Sequence, residues 1–218
     1  MEHIDKTQAV AVAVTRGAFG SQWEEIRTEL IRKSIHFLIA LAPSLAFVNR
    51  GLTVAALAMG TIVYTYAESA RFAGVKIPFI SAVTAIAARD RDRGRFVLGP
   101  VTLGLGAMLA LLLYPDPAAS IAIYALAFGD GLASLVGKLL GRIRPVFLRG
   151  KSLEGSGACF AAVFLVAYRI SEDFRTAFFA ALVATFVEAL PLEDYDNIAL
   201  PLAVGFAVEM VGTVSRPL

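Results

Sequence analysis

The sequence predicts an all-α fold, a polytopic bundle of about seven transmembrane helices with its N-terminus in the cytosol. Three observations predict it. Of 218 residues, 57% are hydrophobic and 17% charged, and the mean hydropathy is +0.69, whereas an ordinary soluble domain carries about 25% charged residues. The apolar residues gather into windows suited to crossing roughly 30 Å of hydrocarbon. The basic residues, finally, concentrate on alternate connections between those windows, as the positive-inside rule requires. A net charge of +2 is too small to argue for nucleic acid, so the expected partner is a lipid bilayer. Cys159 is the sole cysteine and excludes an intrachain disulfide.

Residues 1–30 lack the continuous apolar core and small-residue cleavage site of a secretory signal. Positions 8–29 instead alternate small apolar residues with charges, including Trp23, Glu24, Glu25, Arg27 and Glu29, and read as a cytosolic interfacial helix. Residues 31–218 form one transmembrane domain. Its candidate spans are 31–49, 52–70, 96–114, 118–140, 155–170, 175–190 and 198–212. The shortest, of about sixteen residues, cover only some 24 Å at 1.5 Å per residue. They need a thinned bilayer or help from their polar flanks. With a cytosolic N-terminus, all of the 20 Lys and Arg residues but Arg50, Arg169, Arg175 and Arg216 fall inside. That orientation puts every polar cluster on the cytosolic side. The lack of an Arg- and Ser-rich transit peptide leans toward a prokaryotic inner membrane.

The costliest residue in these windows is Asp130, within Ala125-Leu-Ala-Phe-Gly-Asp-Gly. A carboxylate at bilayer depth costs roughly 2.5–3.5 kcal/mol on insertion scales, so it is expected to face protein or water and to serve a function. Asp130, Ser134 and Lys138 recur every four residues and share a helix face. Gly129, Ala133 and Gly137 form a ridge beside it, for which close helix packing is the plainer account. Before the next span, Lys151-Ser-Leu-Glu-Gly-Ser-Gly157 offers Ser152, Glu154, Gly155 and Ser156 at a helix N-terminus. Free N–H groups and the helix dipole attract anions there, and Lys151 adds a point charge suited to phosphate. A solvated basic loop is the competing account. No Walker spacing is present, because Leu139 follows Lys138 where Ser or Thr would be needed.

The sixth span runs into Glu188-Ala-Leu-Pro-Leu-Glu-Asp-Tyr-Asp-Asn197, an acidic turn ahead of the seventh. Carboxylates beside a basic loop supply oxygen ligands for a hard cation and cations for phosphate oxygens. An ordinary acidic loop competes for Glu193 and Asp194, less so for Glu188, which its helix would bury. Arg32 and His36 lie one turn apart at the head of the first span. A lone His among apolar residues is more often a hydrogen-bonded core group than a chemical one. Glu68 and Arg71 match a local ion pair as well as a substrate contact, and Glu209 reads as an interfacial snorkeller.

Taken in order, these clusters resemble the CTP-dependent lipid kinase family of dolichol kinase, phytol kinase and the CTP-using diacylglycerol kinase. The matching residues are Arg32-Lys33-x-x-His36, Glu68-x-x-Arg71, Gly129-Asp130-x-x-Ala133-Ser134-x-x-Gly137 with Gly141, Lys151-Ser152-x-Glu154-Gly155-Ser156, and Glu188 with Pro191, Asp196, Asn197 and Pro201. The resemblance implies transfer of the CTP γ-phosphate to a lipid alcohol, of polyprenol, dolichol or phytol type or diacylglycerol, at the cytosolic leaflet. It also implies Mg²⁺ or nucleotide held by Asp130 and Asp196, and phosphates bound by Lys151 with the amides of residues 152–157. Glu188 and Asn197 would complete the polar pocket, with Arg32 and His36 near the lipid hydroxyl or phosphate. Further expected nucleotide contacts are Gly129, Ser134, Lys138, Ser152, Glu154, Gly155 and Ser156. Phosphoryl transfer needs mainly positioning and charge neutralisation, which such a set supplies.

Two other classes compete. A phosphatidate cytidylyltransferase would use CTP and Mg²⁺ but release pyrophosphate. A small transporter would use Asp130 and Glu188 as an ion path, and would favour broken helices in two matching halves, a repeat absent from this sequence.

Overall fold

The computed structural model describes residues 26–75, 77, 94–148 and 150–214, and every regular element among them is helical. The helix over 26–37 (α1) passes through a 3₁₀ turn at Leu38–Leu41 into α2 (Ala42–Phe72). There follow α3 (Gly99–Leu113), α4 (Ala118–Tyr124), a π turn at Ala125–Asp130, α5 (Gly131–Leu139), α6 (Leu153–Ser171), α7 (Phe174–Ala189) and α8 (Asp196–Val214). Ile26–Phe72, Ala118–Leu139 and Leu153–Ser171 are long and apolar enough to cross a membrane, and Gly99–Leu113 is a shorter apolar helix. Most of the expected interfacial helix over 8–29 lies outside the described residues, as does most of the basic segment 89–95.

Each of the seven apolar windows coincides with helix, and the first two are separated by a corner at Asn49. Its φ of −156° and ψ of 102° are extended, so no helical turn continues through it. Asn49 Oδ1 accepts from the Leu52 amide at 2.9 Å and its carbonyl from Thr53 Oγ1 at 2.9 Å, which starts a new helix beyond the corner. Arg50 Nε donates to the Leu111 carbonyl at 2.8 Å, and its Nη2 reaches the Leu111 and Tyr114 carbonyls, satisfying the C-terminal end of α3. At the opposite end of α3, Glu68 accepts from the Val97 amide at 2.8 Å and pairs with Arg71 at 2.5–2.6 Å. Ile26–Phe72 is therefore two legs, the second of which runs antiparallel to α3. The Glu68–Arg71 pair ties the second leg to the entry of α3.

Small residues set how closely the helices approach. The core of α4, α6, α7 and α8 is largely alanine, with Ala118, Ala167, Ala177, Ala180, Ala181 and Ala184 buried around Val163, Leu200 and Val204. In lipid, where hydrophobic burial between helices gains little, such close backbone contact is the main source of association. Pro201 within α8 has no N–H to offer the Asn197 carbonyl. Gly106 of α3 packs on that freed oxygen, where any Cβ would overlap it. At the far end, Glu172 closes α6 in the left-handed conformation (φ 54°), and Asp173 caps α7. Bonds from Thr176 N and Oγ1, both 2.7 Å, hold the Asp173 carboxyl below its ordinary pKa.

Candidate active site

At the end of the bundle where α5 stops and α6 begins, a cavity of about 400 Å³ opens between α1, α5, α6, the α7–α8 turn and the connection 140–152. Its walls include Arg32, Lys33, Asp130, Ser134, Lys138, Arg144, Lys151, Ser152, Gly155, Glu188, Glu193, Asp196 and Asn197. Groups up to 165 positions apart in sequence converge here. Asp130, Lys151 and Asp196 all face this one space.

The α1 wall and the α5 wall are antiparallel and zipped by polar contacts. Lys33 Nζ bonds Asp130 Oδ2, one turn along His36 Nε2 meets the Leu126 carbonyl at 2.8 Å, and His36 Nε2 lies 3.2 Å from Asp130 Oδ2. In the other direction Glu29 accepts from Ser134 Oγ at 2.5 Å, from Lys138 Nζ at 2.8 Å and from Arg32 Nη2 at 2.6 Å. Glu29, Lys33 and His36 are buried. A buried charge is tolerated only when paired and hydrogen-bonded, and each charge in this seam has such a partner. The stripe of Asp130, Ser134 and Lys138 read from the sequence thus faces the cavity, and α1 supplies its counter-charges. Arg32 Nε is buried without a hydrogen-bond partner, a donor left open on a residue of the cavity wall.

The opposite wall is built by the start of α6. Ser152 is its N-cap, accepting from the Gly155 amide at 3.1 Å. Gly155 lies so close to α5 that an added Cβ would sit 2.6 Å from the Ala133 carbonyl oxygen, and Gly137 closes on the Ser152 hydroxyl. This close approach brings Lys138 and Lys151 to one cavity. Lys151 Nζ bonds the Glu188 main-chain carbonyl and lies 3.3 Å from its Oε1, while Ser156 Oγ donates to Glu188 Oε2 at 3.3 Å. Arg144 closes the rim, donating to the Gly150 carbonyl at 2.5 Å and the Gly137 carbonyl at 2.6 Å.

The third wall starts α8. Asn197 Nδ2 donates to Thr102 Oγ1 at 2.9 Å and to the Gly99 carbonyl at 3.3 Å, which fixes this helix against α3. Asp196 stands ahead of the apolar run of α8. Burial first, and then the charge of Asp130, push its carboxyl up to about 7.

Four sequence-derived candidates lie off the cavity wall. Gly129 faces α6, where a Cβ would meet Val163 Cγ2 at 2.8 Å and Cys159 Sγ at 3.3 Å, so it acts in helix packing. Glu154 turns to the preceding loop and accepts from the Arg142 and Ile143 amides at 2.9 and 3.1 Å. Ser156 contacts Glu188, and His36 sits behind Asp130. Sequence reasoning missed Glu29, Arg144 and Gly150, and gave Lys33 no role beyond its place in Arg32-Lys33-x-x-His36. The spacing of Glu29, Arg32 and Lys33 on one helix was the available signal for Glu29 and Lys33.

The fold and the cavity can be set beside known proteins. A protein of Triticum aestivum named probable phytol kinase, chloroplastic, is 25% identical over 64% of this chain, which spans 58% of that relative. Two proteins of Glycine max also match. Probable phytol kinase 2 is 24% identical over 89% of this chain and 72% of its own length, and probable phytol kinase 3 is 30% identical over 52% and 41%. The chain is related to the phytol kinases. This relationship agrees with the resemblance carried by the motifs. The chain covers less than two thirds of the wheat relative, as it does of several others. The names of the plant phytol kinases place those proteins in chloroplasts and lend no support to the expected prokaryotic inner membrane. No protein-family model matches the chain, and no solved structure does.

Proposed function

We propose that the protein is an integral-membrane lipid kinase that transfers the γ-phosphate of CTP to a lipid alcohol at the cytosolic face. In this reading the legs 26–48 and 50–72, α3, the α4–α5 rod, α6, α7 and α8 are seven spans with the cavity at their cytosolic ends. The observation that carries it is the convergence of Asp130, Lys151 and Asp196 on one polar cavity beside lipid-length apolar helices.

The residues divide the work by charge. Lys151, Lys138 and Arg32, with the α6 N-terminus behind Ser152, neutralise and orient the phosphates of the nucleotide. Among the described residues no cluster of three His, Cys, Asp or Glu forms an all-protein metal cage. Two carboxylates on one cavity nevertheless fit Mg²⁺, which takes one or two carboxylates and completes its shell with phosphate oxygens and water. Asp130 and Asp196 would hold it, and bound there it would offset charge on the transferring phosphoryl group. Lys33 holds Asp130 in place, and Glu29 does the same for Arg32 and Lys138. A prenyl or acyl chain would lie along the apolar outer faces, with its hydroxyl reaching the cavity.

The test is incubation of the purified protein with γ-labelled CTP, Mg²⁺ and a panel of phytol, polyprenol and diacylglycerol. Label recovered on a lipid alcohol is the expected result, and Asp130→Asn or Lys151→Ala lowers that turnover by about 10²-fold or more. Labelled pyrophosphate formed with phosphatidic acid would assign the cytidylyltransferase reaction instead.

A further inference from the structure

His36 stands out because it is polar and buried, yet lies outside the cavity. Its Nε2 is 2.8 Å from the Leu126 carbonyl oxygen and 3.2 Å from Asp130 Oδ2. A carbonyl oxygen can only accept, so Nε2 carries the hydrogen and donates it. That nitrogen then has no lone pair with which to take a proton from a substrate hydroxyl; the ring's lone pair is on Nδ1, and His36 does not line the cavity in which such a hydroxyl would react.

Leu126 and Asp130 belong to the same π turn, Ala125–Asp130. A π turn inside an α-helix is a local exception that recurs at functional sites. Here it is the segment that presents Asp130 to the cavity. One N–H edge of His36 thus touches main chain early in the turn and the carboxylate at its end. Lys33, one turn earlier on α1, grips the same Oδ2. Phe37 follows and packs on Phe128 of the same turn, their ring centroids 5.9 Å apart. Three successive contacts from α1 therefore clamp the π turn from one side.

We infer that His36 is a positioning residue which, through its Nε2–H, fixes the π turn and the Asp130 carboxylate, and is not the acceptor of the substrate proton. The inference rests on the lipid kinase reading, in which Asp130 faces nucleotide and metal. Supporting groups of this kind orient the residue that touches the ligand, and their loss disturbs that residue without removing it.

Two measurements test it. The chain has two histidines, so ¹⁵N spectra of the ring nitrogens in nanodiscs, with His3 substituted to isolate one signal, report the His36 tautomer directly. A protonated Nε2 is expected, and a bare Nε2 overturns the inference. In the label-transfer assay, His36→Gln keeps an amide donor for Leu126 and Asp130 but cannot act as a base. It retains activity within about threefold of wild type, whereas loss of a general base lowers rates by about 10²–10⁴-fold. His36→Ala, lacking the donor, raises the Mg²⁺ concentration needed for half-maximal rate and leaves the KM for lipid unchanged. A folded His36→Gln protein as inactive as a general-base knockout overturns the assignment. Wild-type protein that transfers no phosphate to any lipid alcohol would overturn the kinase reading instead, and the spectrum would still decide the donor.

Discussion

Replacing Lys33 by Met probes the seam between α1 and α5 at its most charged point. Lys33 is 2% exposed and its ammonium bonds Asp130, itself 8% exposed. With Lys33 gone, the nearest remaining donor to the Asp130 carboxylate is His36 Nε2 at 3.2 Å, already committed to Leu126. Removing one partner of a buried pair strands the other charge and costs roughly 3–5 kcal/mol. For a chain of this size about 1 kcal/mol shifts Tm by 2–4 °C, so Lys33→Met lowers Tm by roughly 6–20 °C. The double variant Lys33→Met with Asp130→Leu buries no stranded charge and recovers most of that loss, while remaining inactive. Thermal unfolding of the three variants and wild type in the same nanodiscs reads the cycle. A Lys33→Met protein within about 4 °C of wild type, or a double variant no more stable than the single one, would refute the claim that this pair holds α1 to α5.

Gly155→Ala places a methyl 2.6 Å from the Ala133 carbonyl oxygen, and α5 and α6 must part to admit it. The expected result is weaker CTP binding together with a lowered Tm, checked by equilibrium binding and thermal unfolding; unchanged values of both would contradict the close packing. Ser152→Ala removes the α6 N-cap and costs about 1 kcal/mol, read as a Tm decrease. For Asp196 the folded pKa of about 7 lies above the ordinary carboxyl value of 3.8. Folding then favours the protonated form, so its charge opposes folding increasingly as pH rises from 4 through 7. Without divalent cations, Asp196→Asn should stabilise the protein at pH 8 and do little at pH 4, and equal effects at both would sink the assignment.

Much of the fold was legible because the bilayer imposes a simple rule on composition. Each apolar window became helix, and the gap between the first two became the Asn49 corner. The stripe of Asp130, Ser134 and Lys138 was also readable, since a four-residue repeat on a helix fixes a shared face. Glu29 was not. It ends a stretch of alternating charges, and its partners Ser134 and Lys138 lie more than 100 residues away. Lys33 read as a flanking positive charge, a role that any basic residue fills, and only the tertiary structure makes it a buried counter-ion. The π turn left no trace in Ala125-Leu-Ala-Phe-Gly-Asp130, because its extra residue per turn is imposed by packing against α1 and α6. Gly129, expected beside the nucleotide, instead faces Val163 and Cys159, an orientation decided by which side of the rod α6 covers.

The central claim is a single nucleotide-binding cavity open to the cytosol. Cys159 is buried, so a Ser134→Cys substitution adds a thiol on the cavity wall that a charged methanethiosulfonate reagent can report. In sealed, oriented vesicles the account predicts modification from the cytosolic side alone, slowed by CTP with Mg²⁺. Modification from the opposite side, or at a rate that CTP leaves unchanged, would contradict it.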